Sequence, residues 1–211
     1  MADVQEYLRR YTNLPALIYL LSKKRITLLD PRSWDDSNDS HYLAVYREKA
    51  QLETVLALCF TESGETYHHW RVFANGSAGA CICFKKSELL KAITGQMGVR
   101  TGLVRYLTLK EVKSKKRLRI RELPFLKRYA FEHEMEFRVI YETEKRRLPK
   151  LDIRLPLSCI DRIILSPWLH PSLSGDVKRM LKTIPGCNQL EIYRSTLIAN
   201  ATWKNFAEKA K

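Results

Sequence analysis

The chain has 211 residues, 45% of them hydrophobic, 10% aromatic and 28% charged, with only eight Gly and eight Pro. That length and composition suit one domain with a buried core and exclude a disordered or collagen-like chain. Lys and Arg number 37 against 23 Asp and Glu, and the resulting net charge of +14 points to a phosphate-rich partner: nucleic acid, a nucleotide or an anionic membrane surface.

In chain order, residues 13–24 carry Leu14, Leu17, Ile18 and Leu21 at helical spacing, with Asn13 placed to cap and Pro15 near the start. A short strand is expected at 26–29, a polar loop dense in turn formers at 30–39, and a helix over 42–51. The run Val55-Leu56-Ala57-Leu58-Cys59-Phe60 predicts a buried strand. A short helix at 69–74, a turn at Asn75-Gly76 and a second buried strand at 78–84 follow. Ser87 is expected to cap a helix over 88–93 that Gly95 and Gly98 close. Strands are predicted at 103–107, 136–142, 160–165 and 190–193, with helices at 123–131 and 172–183. Strands and helices follow no βαβ rhythm, which favours an α+β fold in a single domain spanning 1–211.

The five Cys are odd in number and contain no Cys-x-x-Cys pair, so neither a disulfide framework nor a metal site is expected. The polar start of the chain is unlike a secretory leader, and no stretch approaches the ~20 apolar residues of a membrane span. A reduced, cytoplasmic protein without a membrane anchor is the expectation.

Chemistry concentrates in a few places. In Glu134-Met135-Glu136-Phe137-Arg138, strand alternation puts Glu134, Glu136 and Arg138 on one face and Met135 and Phe137 on the other. Two carboxylates side by side raise the pKa of one of them, suiting a group that accepts a proton or a sugar hydroxyl; the same pattern also fits an edge strand with solvated charges. Arg10 and Thr12, just before the first helix, can bind phosphate or ribose, or simply cap and solvate. Thr61 and Ser63 bring two hydroxyls to the end of a buried strand, where ligand sites and ordinary turns both occur. Trp70 either packs in the core or stacks on a ligand. His68 and His69 lack an acidic partner at metal-ligand spacing. Between residues 105 and 121, eight basic residues face Glu111 alone. Of these, Arg105, Lys113, Lys115, Lys116, Arg117 and Arg119 are candidate phosphate contacts.

The order of these pieces resembles a large bacterial family of unassigned function. Its members share a Tyr/Arg-Tyr start, a Pro-x-x-Phe-Asn-Asp loop, a Cys-Phe-Ser strand, a Trp-x-x-Tyr-Ala helix, a Gly-Val-Cys-Ile-x-Phe strand and Glu-x-Glu-aromatic-Arg. Here the matching residues are Arg10-Tyr11, Pro31-Arg32-Ser33-Trp34-Asp35-Asp36, Cys59-Phe60-Thr61, Trp70-Arg71-Val72-Phe73-Ala74, Gly79-Ala80-Cys81-Ile82-Cys83-Phe84 and Glu134-Met135-Glu136-Phe137-Arg138. Trp34 replaces the usual Phe of the loop and Phe73 the usual Tyr of the helix. At one remove the order is similar to ADP-ribosyltransferases, particularly DarT-like toxins that modify nucleic acid. The resemblance implies a split, mostly antiparallel pair of sheets holding NAD as substrate between them. It implies Arg10, Thr12, Thr61, Ser63 and Trp70 around that substrate, and Glu136, preceded by Glu134, as the catalytic acid. It also implies a phage-defence or toxin–antitoxin setting with a cognate antitoxin. A non-catalytic nucleic-acid-binding module on the same fold, working through the basic run, is the alternative; an inert interaction partner is a third.

Overall fold

The computed structural model of the protein describes residues 6–74, 76–115 and 117–210. Asn75 of the expected turn and Lys116 of the basic run lie outside them. The chain opens on strand β1 (Tyr7–Asn13), which buries Leu8 on one face and Tyr11 on the other between polar neighbours. Asn13 ends the strand and caps helix α1 (Leu14–Lys23), its side chain accepting from the Ala16 N–H at 2.9 Å. Lys24, at φ 50°, stops α1 in the left-handed region and turns the chain into β2 (Arg25–Leu29).

The remaining elements are α2 (Ser37–Lys49), β3 (Thr54–Thr61), α3 (Tyr67–Phe73), β4 (Gly79–Lys85), α4 (Lys86–Thr94), β5 (Val99–Leu103), β6 (Arg105–Leu107) and α5 (Leu109–Ser114). Then come β7 (Leu126–Arg128), β8 (Glu136–Thr143), β9 (Lys150–Arg154), β10 (Ile160–Leu165), α6 (Pro171–Thr183), β11 (Glu191–Arg194) and α7 (Ala201–Ala207). Among the described residues no helix is long and apolar enough to cross a membrane, and all five cysteines are free thiols.

Among the described residues, nine strands form one mixed, mostly antiparallel sheet, and β6 pairs with β7 in a separate parallel ribbon. The fold is thus α+β, as the element order implies. β3 is where the large sheet divides. On one edge it pairs with β8 along its whole length, from Thr54↔Thr143 to Thr61↔Glu136. On the other edge it meets β1 only at Thr61↔Arg9 and β2 only at Ala57↔Leu29. β1 instead pairs fully with β4, which leads on to β10 and β11, while β2 pairs with β9. Two wings therefore diverge from one edge of β3, and the gap between them opens at Cys59.

One face of the sheet buries the main core. Leu56, Leu58 and Phe60 of β3 and Phe137 and Val139 of β8 pack there under Leu17 and Leu21 of α1, Leu89 and Ile93 of α4 and Leu181 of α6. The opposite face carries two smaller clusters. α2 covers Val55, Ala57 and Ile140 with Leu43 and Tyr46, and α3 covers Tyr11, Cys81 and Cys83 with Trp70 and Ala74.

Several boundaries depart from the sequence expectations. α2 starts at Ser37, inside the supposed loop, because the Asp36 carboxylate accepts from the N–H groups of Asn38 and Asp39. α4 starts at Lys86 without a side-chain cap, so Ser87 lies within it. Residues 123–131 are not one helix: two 3₁₀ turns, Ile120–Phe125 and Tyr129–Glu134, flank β7, and Pro124 has no N–H for a longer ladder.

Candidate active site

The gap beside β3 is a cleft of about 740 Å³. β1 and β3 form its floor, α2 and the turn before it one wall, and α3 together with Lys127 and Phe131 the other. Because the Cys59 carbonyl has no strand partner on the open edge, the Arg10 Nη1 donates to it at 3.0 Å. The register of β3 with β8 sets Glu136 opposite Thr61 and Arg138 opposite Cys59. Directly opposite residues share a sheet face, so the Glu-x-Arg pair is delivered to the floor where the wings part.

There it builds a buried ionic cluster. Arg138 has no exposed surface and all five of its N–H groups are used. Nε and Nη2 donate to the two oxygens of Glu136 at 2.8 Å each, Nη1 and Nη2 to the two oxygens of Asp39 at 2.9 and 2.8 Å, and Nη1 also to the Pro124 carbonyl at 2.8 Å. Lys127 Nζ lies 2.6 Å from Glu134, 3.4 Å from Glu136 and 3.8 Å from Asp39. The Trp34 ring covers the Arg138 guanidinium at 5.1 Å. Three carboxylates against two cations leave the fully ionised cluster with one net negative charge at the cleft.

Burial raises all three carboxyls, but their partners differ. At Glu136, Arg138 and Lys127 outweigh burial and hold the carboxyl down at about 2. At Glu134, burial prevails over Lys127 and the carboxyl is raised; Asp39 is raised by burial against the pull of Arg138. The two acids of the Glu-x-Glu pattern are thereby driven apart, one fixed as an anion and the other able to take up a proton more readily. Across β3 from the carboxylates, on the β1 side of the floor, lie Arg9 and Arg10, and burial lowers the Arg10 pKa, so that guanidinium gains by meeting an anion.

Arg10, Thr61, Glu134 and Glu136 all line this cleft, although they come from β1, β3, a 3₁₀ turn and β8. Glu134 is not on the strand. It ends the turn Tyr129–Glu134, and Met135 at φ 44° reverses the backbone before β8 begins. The expected shared strand face is thus held by Glu136 and Arg138 alone, and Glu134 reaches the cluster through Lys127. Thr61 is already committed: its Oγ1 donates to the Glu134 carbonyl at 2.6 Å and accepts from the Ser63 N–H at 2.9 Å. Ser63 is buried behind the cleft, with its carbonyl accepting from Arg9 Nη1 at 2.8 Å. Thr12 lies along the β1–β4 ladder opposite Ala80, away from the cleft. Trp70 is wholly buried among Tyr11, Cys81 and Cys83 and donates Nε1–H to Glu65 at 2.7 Å, so no indole face is open to a ligand. The stacking role expected for Trp70 is corrected accordingly: at that point of α3 the core takes the largest ring.

Asp39 and Lys127 escape the sequence reading. Asp39 had a signal: with Leu43 and Tyr46 it completes the buried stripe of α2 at helical spacing. Lys127 had none, since only pairing of β7 with β6 aims it inward. His69, at the cleft wall, stacks on Tyr11 with centroids 5.3 Å apart, and its Nε2 lies 3.2 Å from the Glu134 carbonyl. The basic candidates Arg105, Lys113, Lys115, Arg117 and Arg119 are all exposed. Arg105 pairs with Glu122 at 3.3 Å, and the neighbouring Tyr106 hydroxyl accepts from the Glu136 N–H at 2.8 Å.

No family model and no curated protein matches this sequence. Three solved structures of DarT from Thermus sp. 2.9 are similar to the fold. The complex with ADP-ribosylated ssDNA is 10% identical, with a TM-score of 0.47 over 90% of this chain and 94% of that one. The complex with NAD+ is 10% identical, with a TM-score of 0.46 over 90% and 95%. The complex with carba-NAD+ is 11% identical, with a TM-score of 0.45 over the same shares.

Proposed function

We propose that the protein is a cytoplasmic NAD-dependent ADP-ribosyltransferase that modifies nucleic acid, with Glu136 and Glu134 as its catalytic carboxylates. The observation that carries this reading is the charge distribution of the cleft: a buried, net-negative carboxylate cluster on the β8 side of β3 and Arg9 with Arg10 on the β1 side, within about 740 Å³. A dinucleotide has the complementary pattern, with an anionic pyrophosphate and, at the scissile ribose, a centre that becomes positive as its bond breaks. The cleft volume falls in the range of small-molecule sites.

In this reading the C1′–N bond to nicotinamide breaks, and its electron pair leaves with the nicotinamide nitrogen. The ribosyl carbon gains oxocarbenium character, as in glycoside cleavage. Glu136, held ionised by Arg138 and Lys127, stabilises that charge without first losing a proton. A lone pair of the acceptor closes on C1′, and the acceptor's proton passes to Glu134, whose raised pKa suits it to receive one. Arg10 holds the pyrophosphate. The net charge of +14 draws in a polyanionic acceptor. The resemblance in the ordered motifs supports a phage-defence or toxin–antitoxin setting, with an antitoxin as a further partner.

The test is release of nicotinamide from NAD in the presence of DNA, RNA or protein acceptors, with Glu136→Gln as control. The variant is expected to lose about a hundredfold or more in turnover while its NAD affinity changes much less. Wild-type protein that releases no nicotinamide with any acceptor would replace this reading with a binding module, which the exposed basic run favours.

A further inference from the structure

We propose that the outer face of α3, together with Trp168, is a stacking platform for the bases of a single-stranded nucleic acid that crosses the helix on its way to the cleft. The inference rests on the nucleic-acid acceptor of the proposed function and locates where that acceptor is gripped. It assigns the grip to aromatic rings rather than to the basic run.

α3 is a short helix with an unusual outer surface. Trp70 and Ala74 anchor it in the core, yet Tyr67, Val72 and Phe73 stand 52%, 56% and 42% exposed. Helical spacing sorts its residues into columns four apart. His69 and Phe73 form the column that lines the cleft, joined there by Val72. Tyr67 and Arg71 form a column on the far flank of a cylinder only ~10 Å wide. On that flank the Arg71 guanidinium lies 4.2 Å from the Trp168 ring centre and 5.2 Å from that of Tyr67, and its Nε donates to the Tyr67 hydroxyl at 2.9 Å. Tyr67 and Trp168 meet edge to face at 5.6 Å. Between the flanks, the exposed His68 ring meets His133 at 4.3 Å, and His133 immediately precedes Glu134. Rings thus run from the far flank to the segment that carries a catalytic carboxylate.

The platform is built rigidly. Arg194 donates Nε–H to the Leu169 carbonyl at 2.6 Å and a second N–H to the Pro167 carbonyl, and the Ser166 hydroxyl accepts from the Trp168 N–H at 3.1 Å. Thr66 caps the start of α3 through the His69 N–H. Tyr67 and Phe73 are exposed, whereas Trp168 is half-buried against the Tyr11 and Trp70 cluster and carries the Arg71 guanidinium on its ring, so the flat surface it offers is that stacked pair. Rings held in fixed positions lose little entropy when a flat partner arrives. The surface chemistry selects that partner. Arg71 and two His interrupt the apolar surface, which disfavours a purely apolar peptide or lipid. Planar faces with a stacked guanidinium match nucleobases and phosphate together. A duplex keeps its bases stacked on one another and offers none to the rings.

The experiment measures fluorescence anisotropy of a labelled twelve-residue oligothymidylate and of a duplex of equal length across a salt series. Nicotinamide release from NAD alone is followed in parallel. Tyr67→Ala and Trp168→Leu are each expected to weaken single-strand binding roughly 5- to 100-fold, the range for losing one stacked base. The salt slope should stay unchanged because no charge is removed. Tyr67→Phe should bind like wild type, and Arg71→Lys, which keeps the charge and loses the plane, should bind more weakly. Duplex binding and NAD-only turnover should be unaffected in all four. Unchanged single-strand affinity in Tyr67→Ala and Trp168→Leu, or equal loss on the duplex, would overturn the platform. If the wild type binds the oligonucleotide in this ring-dependent way but releases no nicotinamide with any acceptor, the platform stands and the transferase reading falls.

Discussion

At Arg138, five donors of one guanidinium meet Glu136, Asp39 and the Pro124 carbonyl with no exposed surface. Removing such a group strands buried carboxylates, so Arg138→Met is expected to cost about 3–5 kcal/mol in urea unfolding. The cluster also ties stability to pH. Glu136 is held at about 2 in the folded protein, below the ~4.3 of an unfolded Glu. Its contribution is complete above the unfolded value and is lost as pH falls through the folded one. Urea midpoints measured from about pH 5 downward should therefore decline, and less steeply in Glu136→Gln. Asp39 and Glu134, raised by burial, act with the opposite sign and favour the folded state as pH falls from their folded values toward those of the unfolded chain. The Thr61 hydroxyl is spent on two backbone groups, so Thr61→Val leaves the Glu134 carbonyl and the Ser63 N–H each short of a partner. A loss of about 1–3 kcal/mol in stability is expected, with NAD affinity from calorimetry nearly unchanged.

Among the elements, α3 and α2 decide the shape of the cleft, because α3 covers the β1–β4 wing, α2 covers β3 and β8, and the split stays open between them. The seat of α3 depends on Gly79, the first residue of β4. A Cβ at that position would collide with the Ala74 carbonyl and press on the Ala74 side chain where α3 ends. Gly79→Ala must push the helix outward, and overpacking of this kind costs about 1–3 kcal/mol. The same shift would draw His69 away from the Glu134 carbonyl. Thermal melting should report the first effect and nicotinamide release the second. On the other side, the 13-residue α2 is held by its Asp36 cap and by Asp39, so its polar first turn and apolar middle both face β8.

For the whole molecule, the excess of positive charge is not spread evenly. The exposed basic segment is rooted at β6, whose Tyr106 touches the Glu136 backbone, so its field extends over the side of the cleft that holds the carboxylates. Simultaneous replacement of Lys113, Lys115 and Arg117 by Ala should weaken binding to single-stranded nucleic acid. It should also reduce the slope of log affinity against log salt by about 2, at ~0.7 for each phosphate no longer neutralised. Titrations at several salt concentrations measure that slope. An unchanged slope would mark the segment as a solvated face. The weakening differs in kind from that expected for Tyr67→Ala, which leaves the slope intact.

Local signals alone specify several of the elements. The apolar runs of β3, β4 and β10, the alternation of β8, and the periodic faces of α1 and α6 each state what they bury without reference to anything distant. The sequence also marked Glu136 and Arg138 as a charged pair on one strand face and, through ordered motifs, tied Arg10 to the same site. The remainder depends on packing, because the partners involved are far away in the chain. β1 was hidden by polar residues that only a cleft floor makes sensible. Trp70 and Thr61 turned inward because Glu65, Ser63 and the Glu134 carbonyl wait there, and no local pattern records those partners. Asp39 and Lys127 joined the carboxylates from α2 and β7, which come to lie beside the start of β8 only on folding. The two wings separate at Cys59 for the same reason: whether a strand edge finds a neighbour depends on where other strands dock, not on its own residues.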